Sequence, residues 1–162
     1  RHAELLADAC QLVLGVDISR AALGEAARRA DDRNFDLYLA IADAASLPIR
    51  DDGVDLAVFV ATLHHLPTRN LRVESLAELS RVLAPSGRAL IGVWSVTHDR
   101  FEADAGFDTT VDWTLPDGTV VDRFYHIYDG DEFERDVDES GLVTHSRFES
   151  RGNWYAIVGS EQ

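Results

Sequence analysis

The chain has 162 residues, 46% of them hydrophobic, which suffices for one domain spanning residues 1–162. Its single cysteine excludes an internal disulfide and a cysteine-built zinc site, and no apolar run approaches the roughly 20 residues that span a bilayer, so we expect a cytoplasmic protein without a metal site. The net charge is −14 and all 15 basic residues are Arg, a composition that keeps a surface hydrated in high salt and is typical of halophilic archaea.

The first 61 residues alternate between predicted helices and strands. Ser19 is predicted to be the N-cap of an Ala-rich helix that ends near Ala30. The other predicted elements are the end of a helix at 2–9 and three nearly continuous apolar strands at 11–17, 36–43 and 54–61. Because their apolar runs are unbroken, we expect these strands to be buried on both faces.

A second helix and strand follow in the same order. Leucines at helical spacing predict a helix over residues 70–83, which stops in the segment Ala-Pro-Ser-Gly at 84–87. The apolar residues 88–95 then predict another strand. Alternation of strands and helices predicts an α/β fold with a doubly wound, mostly parallel sheet.

The pattern changes after residue 95. The segment 96–125 is polar and aromatic, and Pro116-Asp117-Gly118 predicts a turn between strands at 110–115 and 119–125, which indicates a hairpin inserted over the sheet. A short acidic helix is predicted at 130–140. The last two strands, 143–150 and 154–160, are joined by a three-residue turn that allows only antiparallel pairing.

Two aspartates stand at predicted strand ends. Asp17 ends the first strand, where a carboxylate can accept hydrogen bonds from both hydroxyls of a ribose, although it could also serve as the N-terminal charge of the next helix. Asp43 ends the second strand, where its carboxylate can accept from an adenine amino group while Ala44 packs on the ring; an Asx turn is equally compatible. A dehydrogenase would look the same at Asp17 alone.

The histidines and tryptophans carry weaker signals. Adjacent residues such as His64 and His65 point to opposite sides, and no third ligand accompanies them, so a metal site is not expected. Trp94 is interpreted as packing, because Trp is more often partly buried than functional.

Taken together, these motifs resemble those of class I S-adenosylmethionine-dependent methyltransferases. The segments that carry this resemblance are 14–19, 43–48, 55–66 and 81–91. A narrower resemblance is to the methyltransferases that act on the carboxymethyl group of the tRNA wobble uridine, including the methyltransferase domain of AlkB-type homologues. It rests on residues 64–68, Arg72, 93–94, 123–128 and the Arg-Gly-Asn-Trp-Tyr segment at 151–155.

The resemblance implies a Rossmann-like class I methyltransferase fold, S-adenosylmethionine as cofactor, and a tRNA anticodon loop as substrate. The reaction would methylate the carboxylate of 5-carboxymethyluridine, helped by a small zinc-binding activator protein. The residues that it places at the cofactor are Asp17, Ile18, Asp43, Ala44, Ala61 and His65. Around the substrate it places Arg72, His126, Arg151 and Asn153.

The chain departs from the family in one respect. Class I enzymes carry a Gly-rich turn after their first strand, and no such turn occurs here, so we expect that strand and turn to precede residue 1. Two alternatives stay open: a class I methyltransferase of small molecules, and a methyltransferase-like subunit without activity. A tRNA substrate predicts arginines clustered on one face. The members of this cluster would be Arg69, Arg72, Arg123, Arg147 and Arg151.

Overall fold

A computed structural model describes residues 2–114 and 118–160 of the chain. It divides into two compact units, Arg1–Ile49 and Arg50–Gln162. None of the described helices is long and apolar enough to cross a membrane.

The first unit is built on a pair of parallel strands. Its elements are α1 (His2–Ala7), β1 (Leu14–Asp17), α2 (Arg20–Arg33) and β2 (Tyr38–Ile41). Ser19 caps α2 as predicted, since its hydroxyl accepts from the backbone amide of Ala22 at 3.2 Å. The helix runs past the predicted end to Arg33, and Asn34 closes it in the left-handed conformation with φ of 56°.

The second unit holds the remaining elements. They are β3 (Val54–Val60), a 3-10 turn (Leu63–His65), α3 (Arg69–Val82), β4 (Leu83–Trp94), β5 (Phe107–Thr114), β6 (Val120–Ile127), α4 (Gly130–Glu139), β7 (Leu142–Ser150) and β8 (Asn153–Ser160). Four strands form a sheet in the order β3-β4-β8-β7, and β5 pairs with β6 as a hairpin. The β3–β4 pair is parallel, whereas β8 is antiparallel to both of its neighbours, as predicted for the last two strands.

The core of the second unit lies between the sheet and its two helices. Fully buried side chains come from α3 (Leu76, Leu79), from β4 (Ile91) and from α4 (Phe133, Val137). Each such side chain contributes about 1.5–3 kcal/mol through removal of apolar surface from water. This packing fixes α3 and α4, which position most of the polar side chains described below.

The structure corrects two sequence predictions about the strands of the second unit. Residues 84–87 are not a loop but belong to β4, where a Cβ on Gly87 would lie 2.8 Å from the carbonyl oxygen of Val54. At the base of the hairpin, β5 begins three residues earlier than predicted and β6 ends two residues later. The predicted turn at Pro116 and Asp117 lies outside the described residues, while Gly118 has the positive φ, 85°, that a turn glycine supplies.

The expected burial of the first three strands on both faces is also wrong. In β3 no residue is fully buried, and Leu56 is 45% exposed. Tyr38 and Ile41 at the two ends of β2 are 60% and 49% exposed, and Leu14 of β1 is exposed as well. Length explains the error for β1 and β2, because they have four residues each, whereas the apolar runs from which they were predicted have seven and eight.

Candidate functional site

Asp17 and Asp43 have the same local geometry in the first unit. One carboxylate oxygen of Asp17 accepts from the backbone amide of Ser19 at 2.8 Å, and one of Asp43 accepts from the amide of Ala45 at 2.9 Å. Both residues are exposed at the carboxyl end of their strand. The backbone bond orients each carboxylate, and the side chain stays accessible to hydroxyl or amino donors.

The neighbours of these aspartates offer apolar surface. Ile18 is 72% exposed, and Ala44 is partly buried next to Asp43. Two open cavities, of about 370 and 240 Å³, share Asn34, Phe35 and Asp36 as lining residues. These lie near the start of β2, at the opposite end from the two aspartates, so they are not where an open α/β sheet binds its ligands.

The end of β3 in the second unit is strained. Ala61 directly follows the strand with φ of 62°, a left-handed conformation that costs a residue with a Cβ about 1–2 kcal/mol. Its amide donates to the carbonyl of Gly92 on β4 at 3.1 Å, which holds the conformation. The 3-10 turn then begins at Leu63 and presents two histidines towards the hairpin, with His65 Nδ1 3.2 Å from the carbonyl oxygen of Phe124.

Aromatic rings from the turn, the hairpin and β4 form a cluster, which we call the ring layer: His64, Tyr125, Trp94 and His98. Tyr125 stacks on His64 and on Trp94, with centroid separations of 5.0 and 4.7 Å, and His98 stacks on the same indole at 5.4 Å. The layer rests on the buried base of the hairpin. Its rings provide a rigid apolar surface at the carboxyl ends of β3 and β4.

His64 is the buried polar member of the layer. It is 2% exposed, and within the described residues its Nδ1 has no hydrogen-bond partner. Burial lowers the pKa of its imidazole from the usual 6.5 to about 3, with smaller contributions from His65 and from the positive charge of Arg123. His64 is therefore neutral at physiological pH.

A network of charged side chains joins α3, α4 and β6. Arg72 is 4% exposed and lies 3.4 Å from a carboxylate oxygen of Glu132; His126 Nε2 lies 3.0 Å from the same oxygen. On its other side, His126 Nδ1 is 2.7 Å from Asp108 of β5. The structure thus brings two predicted substrate residues, Arg72 and His126, together around one carboxylate.

Asp136 extends this network. Its carboxylate is fully buried, accepts from Arg69 Nε at 2.8 Å and from the Tyr128 hydroxyl at 3.1 Å, and lies 3.8 Å from Arg72 Nε. Burial raises the pKa of Asp136 despite the opposing effect of both arginines, and it also raises the pKa of Tyr128. The charges of these arginines are thereby compensated inside the protein.

The other two predicted substrate residues lie in the turn between β7 and β8. Arg151 is exposed with φ of 51°, and the Asn153 side chain donates to its carbonyl at 3.0 Å. Gly152 packs so closely that a Cβ there would lie 2.5 Å from the Cα of His98, and its carbonyl accepts from the amide of Ser95. The turn is thereby held at the carboxyl end of β4.

The five arginines expected to cluster differ in whether they have a carboxylate partner. Arg69, Arg72 and Arg147 each pair with a carboxylate of α4, the last with Glu134 at 2.9 Å. Within the described part of the chain, Arg123 and Arg151 have no carboxylate partner. Of the five, Arg123 and Arg151 are thus the two whose positive charge has no carboxylate partner among the described residues.

Sequence reasoning missed the acidic residues of the network and the ring layer. Glu132 and Asp136 are four residues apart and alternate with the buried Phe133 and Val137, so acidic residues fall inside the apolar stripe of α4. That spacing could have predicted buried carboxylates on α4. Trp94, interpreted as packing, is partly buried and is also a member of the layer.

Among the described residues, no group of three or more His, Cys, Asp or Glu side chains is arranged to hold a metal ion.

Residues 1–91, more than half of the chain, match a family model described as a methyltransferase domain. The chain belongs to this methyltransferase family. The match includes both strand-end aspartates, the end of β3, the two histidines and Arg72.

Relatives of this methyltransferase chain come from animals, plants and fungi. A probable tRNA methyltransferase 9B from Mus musculus is 35% identical over 83 residues, 50% of this chain and 18% of the relative. A tRNA (carboxymethyluridine(34)-5-O)-methyltransferase from Arabidopsis thaliana is 44% identical over 59 residues, 36% of this chain and 15% of the relative. The fission yeast protein of the same name is 24% identical over 143 residues, 74% of this chain and 63% of the relative. The chain spans less than one fifth of the mouse and plant relatives.

Solved structures confirm the predicted class I methyltransferase fold. A S-adenosylmethionine-dependent methyltransferase from Clostridium acetobutylicum superposes with a TM-score of 0.77 at 14% identity, covering 98% of this chain and 79% of that one. The N-methyltransferase NodS from Bradyrhizobium japonicum, solved with S-adenosyl-L-homocysteine, gives 0.68 at 17% identity, covering 98% and 71%.

Proposed function

We propose that this chain is part of a S-adenosylmethionine-dependent methyltransferase that esterifies the carboxylate of 5-carboxymethyluridine at the tRNA wobble position. The observation that carries the proposal is the presence of an exposed, oriented carboxylate at the end of each strand of the parallel pair, Asp17 and Asp43, inside a methyltransferase domain. The names of the plant and yeast relatives support the choice of substrate.

The donor chemistry of the first unit fits the cofactor. Asp17 presents an anionic acceptor suited to the two ribose hydroxyls, and Asp43 presents one suited to an adenine amino group. Ile18 and Ala44 supply adjacent apolar surface for the adenine ring. Ala61 and His65 stay proposed cofactor contacts in the second unit. When bound, S-adenosylmethionine supplies an electrophilic methyl group.

The proposed substrate makes modest demands on the protein. A carboxylate is already ionised at pH 7, so no general base is needed, and the protein has to position the nucleophile and exclude water. Arg151 and Asn153 are proposed to contact the substrate from the β7–β8 turn. For Arg72 and His126 we propose a positioning role, since both already share Glu132 and order the base of the hairpin.

An anticodon loop and an activator protein are the proposed partners. With a net charge of −14, tRNA would bind through local cations, and Arg123 and Arg151 are the uncompensated candidates among the five arginines. The proposed activator is a small zinc-binding protein.

The activity is tested on tRNA that carries 5-carboxymethyluridine. We expect incubation with S-adenosylmethionine, with and without the activator, to convert this nucleoside to its methyl ester, measured by mass spectrometry of the digested tRNA. Methylation of another nucleoside, of a free small molecule only, or of nothing would contradict the assignment.

Asp17→Ala tests the cofactor site independently of the substrate. A charged acceptor that serves two hydroxyls contributes enough that its loss should weaken S-adenosylmethionine binding by about tenfold or more. Calorimetric titration measures the affinity, and Asp36→Ala, an exposed aspartate at the start of β2, is the matched control. Equal affinity in the two variants would remove the ribose assignment.

A further inference from the structure

Arg123 is partly buried and differs from four other arginines of the second unit. Arg69, Arg72, Arg81 and Arg147 are all paired with carboxylates. Arg123 contacts the ring of Trp113, with its Cζ 4.8 Å from the centroid, and has no ion pair within the described residues. The chain has 29 acidic and 15 basic residues, yet this partly buried guanidinium has no carboxylate partner among the described residues. Its N–H groups are therefore available to hydrogen-bond acceptors of a ligand.

The register of the hairpin places Arg123 beside the ring layer. Side chains two residues apart on a strand share a face, so Arg123 lies on the same face of β6 as Tyr125, opposite Val111 of β5. Tyr125 in turn stacks on His64. The positive charge of Arg123 contributes to lowering the pKa of the His64 imidazole.

A second polar group on this side lacks a partner. His64 Nδ1 is buried without a hydrogen bond in the described part of the chain, and its imidazole is neutral. Because the imidazole is neutral, it does not attract an anion away from Arg123. It also carries no negative charge that would neutralise Arg123. The aromatic surface and the single uncompensated cation together suit a planar group that carries one negative charge.

We propose that Arg123, held over Trp113 beside the ring layer, forms a carboxylate-binding subsite that receives the acceptor carboxylate. This inference rests on the proposed function and adds Arg123 to the residues expected around the substrate, which were Arg72, His126, Arg151 and Asn153. The guanidinium fork binds both carboxylate oxygens and orients the acid, and the indole beneath keeps the fork in place. No covalent step involves Arg123.

The subsite is tested by direct binding of two nearly isosteric probes, 5-carboxymethyluridine and its neutral carboxamide, to the full chain. Calorimetry measures both affinities without any methyl transfer. We expect the wild-type chain to bind the acid about tenfold or more tightly than the amide, since a charge-assisted bidentate contact is lost with the amide.

Arg123→Gln should reduce this preference to within about twofold while leaving amide affinity unchanged, and Arg123→Lys should keep part of it, since a point charge replaces the fork. Arg147→Gln is the matched control, because Arg147 also lies over an indole, 5.4 Å from the Trp154 centroid, but is paired with Glu134. The control should keep the wild-type preference.

The outcomes separate the subsite from the proposed function. An acid preference that survives Arg123→Gln, or equal wild-type affinities for acid and amide, overturns the subsite even where the tRNA is esterified. An acid preference that depends on Arg123 supports the subsite, and failure of the tRNA assay in that case counts against the proposed function alone. If Arg123→Gln does not fold, an undiminished preference in Arg123→Lys overturns the role of the fork.

Discussion

At the scale of single residues, burial decides which groups are charged. His64 and Asp136 are both nearly inaccessible, but only Asp136 has cationic neighbours at hydrogen-bond distance. For His64, burial disfavours the charged form, and the imidazole of His65 and the positive charge of Arg123 add to this effect. The protein therefore holds His64 as a neutral ring.

His64 makes stability depend on pH. Its pKa falls from the usual 6.5 to about 3 on folding, so between these values the unfolded chain binds a proton that the folded chain does not. The free energy of unfolding should be unaffected by His64 above pH 6.5, and below it should fall by up to about 1.4 kcal/mol per pH unit from this group.

His64→Phe checks this pH dependence, because it keeps an aromatic ring in the layer and removes the titrating group. Urea unfolding between pH 4 and 7, on the order of one measurement per half unit, should show a shallower loss of stability in this variant than in wild type. His145→Phe, at an exposed position on β7, is the control and should retain the wild-type slope. Equal slopes in His64→Phe and wild type would show that His64 is not the titrating group.

At the scale of secondary-structure elements, paired spacings join α3 to α4. Arg69 and Arg72 are three residues apart on α3, Glu132 and Asp136 are four apart on α4, and the four side chains meet between the helices. The two helices are thus held by charge as well as by the apolar contacts of Leu76 and Phe133.

Asp136→Ala should destabilise the fold strongly. It leaves the buried Arg72 with a single carboxylate and removes the acceptor of the Tyr128 hydroxyl, and breaking a buried ion pair by removing one partner costs about 3–5 kcal/mol. Urea unfolding measures the loss. Asp138→Ala, exposed on the same helix, should change stability by less than about 0.5 kcal/mol. Similar losses in both variants would mean that the network contributes no net stability.

Patterns that act within one element were predictable from the sequence. Leucine spacing predicted α3 to within one residue at each end, and Ser19 was identified as the N-cap of α2. Asp17 and Asp43 were recognised as strand-end carboxylates because the apolar runs stop there. Residues 84–87 were missed, because Pro and Gly usually interrupt a strand, whereas here they extend β4.

The pairing between elements could not be predicted. Arg72 was expected to bind substrate, and nothing local distinguishes it from Arg123; the difference is that α4 brings carboxylates to Arg72 and none of the described carboxylates reaches Arg123. The same applies to His126, whose partners Asp108 and Glu132 come from two other elements. Tertiary contacts, rather than residue type, decide which cation is available.

At the scale of the whole molecule, the net charge of −14 opposes the compact state. Ion pairs compensate the buried charges, but the excess acids are spread over the surface, where neighbours of the same sign repel each other. Asp112 and Asp122 illustrate this, since they are directly paired across the hairpin.

Salt should therefore stabilise this protein. Raising KCl from about 0.1 M to about 1 M shortens the screening length from about 10 Å to about 3 Å, and should raise the melting temperature by about 5 °C or more. Calorimetric scans measure this, with the same titration at pH 4.6, near the isoelectric point, as the control in which the increase should be smaller. A melting temperature that is constant or falls with salt would contradict the role of net repulsion.

The contact between Gly152 and His98 has a consequence for affinity. Because the turn that carries Arg151 and Asn153 presses on His98, and His98 stacks on Trp94, the turn and the ring layer cannot move independently. Their conformational entropy is thus lost when the chain folds and not when a ligand binds, so the ligand meets a preorganised surface. Any side chain larger than hydrogen at position 152 would displace the turn, and its cost would appear as weaker binding in a protein that is still folded.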